Sequence, residues 1–168
     1  MSIDNLHSEI QRDCQPFLSL LRAGSGALFR GVGQEAPDFF MGAVVRDRSP
    51  KNMPHALHEA TDRWFSQQFG VRYRGASLFC TGDPKQAAQH GRVYKIFPIG
   101  GFQFCWSPEV RDLHEWGKAD DCLQLTPEQF VEAMALLDYQ EEDLRKAIAS
   151  KFEVMVACRR YYAAAICD

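Results

Sequence analysis

Apolar residues near the start of the chain recur at a helical interval: Leu6, Ile10, Phe17, Leu20 and Leu21 share one face of a 3.6-residue period. Pro16 falls inside that run, so the spacing predicts a helix that is kinked or divided there, with Gly24-Ser25-Gly26 ending it. "ALFRGV", residues 27–32, then reads as a short apolar strand, and "MGAVVRDR", residues 41–48, admits a second. Pro54 opens another helix at its first turn, where the missing N–H costs nothing. Leu57, Ala60, Trp64 and Phe65 form its expected buried stripe, and Gly70 closes it.

Beyond Gly70 the pattern changes to strands: "YRGASLFC" (73–80), "RVYKIFPI" (92–99) and "FQFCWS" (102–107). Gly100-Gly101 between the last two suggests a hairpin turn. Thr81-Gly82-Asp83-Pro84 marks a turn after the first, followed by a short Ala-rich helix around Ala87. In "TPEQFVEAMALLD" Thr126 is an N-cap, Pro127 takes the first helical position and Gln129 completes a capping box. "EEDLRKAIAS" predicts one more helix. "FEVMVAC" and "RYYAAAI" finish the chain as two strands, or as one long strand with a break. Helices come first and a β body with inserted helices follows, which favours α+β over a doubly wound parallel sheet.

The 168 residues suit a single domain, residues 1–168, with enough apolar content (46%) to build a core and enough charge (24%) to stay near the globular average. A net charge of −3 excludes a strongly basic nucleic-acid footprint. A local basic cluster, Arg46, Arg48 and Lys51, could hold an anion or form a basic surface loop. The six cysteines (Cys14, Cys80, Cys105, Cys122, Cys158 and Cys167) show no C-x-x-C spacing and read as reduced thiols. No His shares a ligand spacing with a Cys pair, so no metal is expected, and His55 and His58 read as surface residues of a helix. Met1 to Asn5 lacks the features of an export signal, and no apolar run approaches the roughly 20 residues of a membrane span, so the expectation is a cytoplasmic protein with no membrane partner.

Dinucleotide, P-loop and nucleophile-elbow glycine motifs are all missing from the sequence. Cys80 with His90 could form a thiol nucleophile and its base, or Cys80 could be an ordinary buried strand residue. Three polar residues stand inside apolar strands: Arg30 in "ALFRGV", Ser77 in "GASLFC" and Glu153 in "KFEVMVAC". Burying such groups costs several kcal/mol unless they are paired or face a cleft; alternation along a strand can also turn each outward.

The order of "LFRGV", then "ASLFCTGDPKQAAQHGRVYKIFPI", then "FEVMV" resembles the ADP-ribosyltransferase fold in its Arg-Ser-Glu form. It is also similar to small tailed-bacteriophage proteins in which "YRG" precedes "SLF-x-T" and "WS-x-x-x-DL". The resemblance covers residues 26 to 166 and leaves residues 1–24 as an N-terminal helical addition. It implies a split β-sheet core and a mono-ADP-ribosyltransferase that consumes NAD as co-substrate. It further implies a phage-encoded protein acting in the host cytoplasm on a host macromolecule, protein or nucleic acid.

Carried over residue by residue, the likeness places Arg30, with Gly31 beside it, at the NAD phosphates or the nearby ribose. A planar fork of donors suits a diphosphate. Ser77 would hold the nicotinamide ribose or the catalytic Glu, and Thr81 corresponds to the last hydroxyl of the usual Ser-Thr-Ser run. Glu153 would engage the ribose 2′-OH and stabilise positive charge at C1′ as nicotinamide leaves. Phe79, Tyr94 or Phe97 could stack on nicotinamide or lie in the core. Two residues before Glu153, many members carry Glu or Gln for the acceptor where this chain has Lys151, a cation that counts against arginine-directed transfer. Gln140 and Glu141 to Asp143 could serve an acceptor loop instead, or begin a helix. In "WSPEVRDLHEW" Trp106 reads as core or pocket wall and Asp112 as a turn or cap. Two other readings stay open: a non-catalytic module binding a nucleotide or a host protein, and a phage structural protein.

Overall fold

A computed structural model describes residues 3–33, 36–50, 53–118 and 124–166. The divided helix at the N-terminus is present as α1 (Ile3–Asp13) and α2 (Gln15–Leu18), with Pro16 in the first turn of the second piece. It is no appendage. Phe17 is 1% exposed and packs its ring edgewise on Phe97 and Phe102, at centroid distances of 6.4 and 5.6 Å. A fully buried aromatic of this kind contributes about 1.5–3 kcal/mol.

The strands are β1 (Phe29–Val32), β2 (Phe39–Ala43), β3 (Leu78–Thr81), β4 (Arg92–Trp106) and β5 (Glu153–Ala165). All pair antiparallel in the order β2-β5-β3-β1-β4, and a further β5–β4 pairing closes β5, β3, β1 and β4 into a small barrel. The architecture is therefore α+β. Two long strands make the closure possible. On the edge of β5 away from β4, the first residues pair with β3 and the last with β2. Gly100-Gly101 is not a hairpin turn: β4 runs straight through it, and the register with β5 shifts between Ile99 and Phe102. Gly100 at φ 69° supplies the irregular residue that bends the strand. "FEVMVAC" and "RYYAAAI" likewise form one continuous strand.

Both faces of β5 are covered. Val154 and Val156 enter one apolar cluster with Phe17, Leu28, Tyr94 and Ile96, while Met155 enters a second with Phe65, Leu113, Phe130 and Met134. That is why residues 154–158 of the strand read as an unbroken apolar run. The second cluster lies under α3 (His55–Phe69) and α6 (Pro127–Met134). Thr126 and Gln129 make the expected capping box, and Gly70 ends α3 in the left-handed region. The buried stripe of α3 is displaced from Leu57, Ala60 and Trp64, which are only partly buried, to His58, Thr61, Asp62 and Phe65. Remaining helices are α4 (Pro84–Ala88), α5 (Leu113–Gly117) and α7 (Leu144–Ser150). No helix among the described residues is long and apolar enough to cross a membrane.

"YRGASLFC" is a strand only from Leu78. Residues 73–77 form a turn organised by the buried carboxylate of Asp62, which accepts the Arg74 amide at 2.9 Å and the Arg72 Nε at 3.0 Å. A Cβ on Gly75 would stand 2.6 Å from Asp62 Oδ2, so the turn can pass this close only with glycine there.

Candidate functional site

A cavity of about 330 Å³ opens where β1, β3 and β5 lie side by side. The ladder aligns the three strands: Thr81 is the register partner of Phe29 on one side and of Glu153 on the other. Arg30, Gly31, Phe79, Thr81 and Glu153 all border the cavity. Its rim is completed by Arg48–Pro50 from the segment after β2, His58 from α3, His90 after α4, and Asp112 and His114 around the start of α5.

Glu153 is held from several directions. Arg74 Nη1 donates to its Oε1 at 2.8 Å, with side-chain exposures of only 7% for the arginine and 11% for the glutamate. Its backbone N–H donates to Arg111 O at 2.8 Å. Burial pushes the carboxyl above its ordinary range; Arg74 opposes that shift, Asp112 adds to it, and the Leu113 amide opposes it.

Arg74 is the central organiser, bonded to Glu153 and lying over the Phe79 ring. Its guanidinium carbon lies 4.2 Å from the Phe79 ring centroid, and that of Arg48 lies 4.7 Å from the same ring. The ring offered above as a nicotinamide platform therefore carries two cations. Arg48 is fixed to the backbone as well, through Nη2 to Ser77 O at 2.8 Å and its own N–H to Gly75 O at 2.9 Å. Arg30 Nη1 donates to Phe79 O at 3.1 Å. Among the described residues neither Arg30 nor Arg48 has a carboxylate partner. Burial, then Arg30 and Arg74, pull the Arg48 pKa below its ordinary value. A half-buried guanidinium beside two others can accept an anion between them.

Gly31 lines the cavity because α4 crosses β1 there: a Cβ would stand 2.1 Å from Ala87 O. Thr81 borders the cavity, whereas Ser77 does not. Ser77 is fully buried at the end of the 73–77 turn and donates to Tyr73 O. Thr81 Oγ1 donates to Lys151 O at 2.8 Å and accepts the Asp83 amide at 3.1 Å. Tyr94 lies in the core with its hydroxyl on Ala36 O at 3.0 Å, and Phe97 packs on Phe17. Lys151 is the exposed left-handed residue ending α7, and neither it nor Arg46 borders the cavity. Lys51 lies outside the described residues. Asp143 caps α7, and Glu141 accepts from the Tyr73 hydroxyl, so neither forms an acceptor loop at the cavity. Trp106 is core, its Nε1 on Glu142 O at 2.8 Å.

His58 is a correction of a different kind. It is 5% exposed and faces the cavity rather than solvent, and burial lowers its pKa, keeping the ring neutral at pH 7. Cys80 and His90 do border one cavity, but burial pushes the thiol up to about 12, which removes the thiolate that nucleophilic attack needs. One signal pointed to the missed groups: Asp62 four residues after His58 and three before Phe65 puts an acid on the buried face of a helix.

Comparison of the chain with family models, with curated proteins and with solved structures finds no match to any of them.

Proposed function

We propose that the chain is an NAD-dependent mono-ADP-ribosyltransferase, with its barrel and flanking helices as an ADP-ribosyltransferase-like core. The observation that carries the reading is that Arg30, Thr81 and Glu153, from three adjacent strands, border one cavity. Arg30 and Arg48 form a doubly charged seat suited to a diphosphate. Glu153 lies deeper, held by Arg74, where a carboxylate can accept the ribose 2′-OH and stabilise the oxocarbenium-like C1′ as the bond to nicotinamide breaks. Nicotinamide leaves with the bonding electron pair, and the acceptor nucleophile closes on C1′. Likeness to phage proteins adds a host macromolecule as acceptor and the host cytoplasm as the place of action.

The test is incubation of the folded protein with NAD labelled in the adenylate moiety, following nicotinamide release and label transfer to host-cell lysate. Glu153→Gln is expected to lower release at least a hundredfold. Absence of both release and transfer from the folded parent overturns the reading.

One observation favours a non-catalytic nucleotide-binding module instead: Glu153 is already committed to Arg74. Calorimetric binding of NAD with no nicotinamide release would select that alternative.

A further inference from the structure

The second carboxylate on the cavity wall among the described residues is Asp112, from the "WSPEVRDL" stretch. Its neighbours on both sides lie against Glu153: Arg111 O accepts the Glu153 amide at 2.8 Å, and the Leu113 backbone N–H stands close enough to the Glu153 carboxyl to oppose the rise in its pKa. Asp112 is thereby held near the glutamate and lines the same cavity. Its Oδ1 accepts the Glu115 amide at 3.0 Å and caps α5. The other oxygen has no protein partner among the described residues, and the side chain is only partly buried.

Capping alone does not require an aspartate facing a cavity, since Asn or Ser caps as well. Meanwhile the acceptor-side position two residues before Glu153 is empty of any base: Lys151 is exposed and stands outside the cavity. We infer that Asp112 is the general base for the acceptor, taking the proton from the attacking O–H or N–H as its heavy atom bonds to C1′. This inference rests on the transferase reading. The step balances: the bond from C1′ to the nicotinamide nitrogen breaks with its electron pair going to nicotinamide, the acceptor's lone pair forms the new bond, and the acceptor's proton passes to the free oxygen of Asp112. Glu153 takes no proton in this step. Its work is on the sugar, and that of Asp112 is on the nucleophile.

A nucleophile that has no proton to lose separates the roles. Azide is an anion that suits this cationic cavity, and it forms a bond to C1′ without a base. The experiment measures nicotinamide release from NAD by the parent, Asp112→Asn and Glu153→Gln, each with water as acceptor and then with sodium azide. Asparagine keeps the cap, and a melting curve checks that it does. The expected result is a loss of about a hundredfold with water in Asp112→Asn, restored by azide with an ADP-ribosyl azide product, and a loss in Glu153→Gln that azide does not restore. Release by Asp112→Asn within twofold of the parent overturns the inference, as does a loss that azide leaves unchanged, for then the aspartate only positions its neighbours. A parent that releases no nicotinamide with either nucleophile overturns the transferase reading itself, and this role with it.

Discussion

Arg74 and Glu153 are 79 positions apart in the chain and form a nearly dry ion pair, Nη1 to Oε1, at 2.8 Å. Neither is placed by its own strand alone. The arginine is set by the turn that Asp62 organises, and the glutamate by the ladder through Thr81. Breaking a buried pair from one side leaves an uncompensated charge, at a cost of about 3–5 kcal/mol. Arg74→Met is therefore expected to destabilise the protein by that amount in urea unfolding, and Glu153→Gln by less, because the remaining guanidinium still has the Phe79 ring.

The same pair sets a pH dependence. The Glu153 pKa is raised in the folded protein, so protonation favours the native state. Stability then falls as pH rises from the ordinary carboxylate range through the folded value. Removing Arg74 removes the main force holding that value down. Arg74→Met is expected to show a steeper loss of stability than the parent as pH increases from about 4.5, the unshifted glutamate value. Urea midpoints at several pH values measure it, and parallel curves for parent and variant would show that the pair does not control the titration.

Arg30 and Arg48 make the opposite kind of prediction. Arg48 is half-buried beside two other guanidinium groups with no carboxylate partner among the described residues, an arrangement that an anionic ligand would neutralise. Arg48→Met, which loses the bond to Ser77 O but breaks no ion pair, is expected to lower the melting temperature less than Arg74→Met does. Pyrophosphate should raise the melting temperature of the parent and leave Arg30→Met/Arg48→Met unmoved. Arg48→Lys should recover only part of the effect, since a point charge cannot reproduce the fork. An equal pyrophosphate shift in the double variant would place the anion elsewhere.

Two hydroxyls competed for one role, and the structure separates them. Ser77 bonds inside its own turn, whereas Thr81 joins β3 to the end of α7 and faces the cavity. Ser77→Ala is expected to cost about 1 kcal/mol of stability while leaving NAD turnover within a few-fold of the parent. Thr81→Val should lower turnover much more. If the two variants lose turnover equally, the assignment of the hydroxyl to Thr81 fails.

What was legible in the sequence was local. Thr126, Pro127 and Gln129 act within one turn of helix, and Pro16 and Gly70 act through their own backbone, so each could be read from its neighbours. Gly100-Gly101 could not. The same dipeptide serves a hairpin or a bulge, and only the long pairing of β4 with β5 decides between them. Arg30 and Glu153 announced themselves as charges in apolar strands. Arg74 did not, because its partners Asp62, Phe79 and Glu153 come from three elements that meet only after folding. His58 reads as a surface residue for a related reason: a helix stripe set one residue out of phase puts a buried face in solvent.

The N-terminal helices offer a last test, by their attachment to the barrel. The Tyr162 hydroxyl of β5 donates to Asp13 Oδ2 at 2.8 Å, and Arg12 Nε and Nη2 donate to the same carboxylate at 2.7 and 2.9 Å. These bonds favour the ionised form and hold the Asp13 pKa down at about 2, while burial and the nearby carboxylate push the Tyr162 phenol up to about 12 and keep it a donor. A carboxyl depressed in the folded state adds stability above its ordinary pKa, and that contribution is lost as pH falls through the folded value. The melting-temperature gap between the parent and Asp13→Asn should thus be constant above about pH 4 and narrow as the pH approaches 2. Tyr162→Phe should narrow the gap at neutral pH by removing the donor that links helix to strand. A gap that does not change between pH 4 and pH 2 would mean that Asp13 is held no more tightly in the folded chain than in the unfolded one.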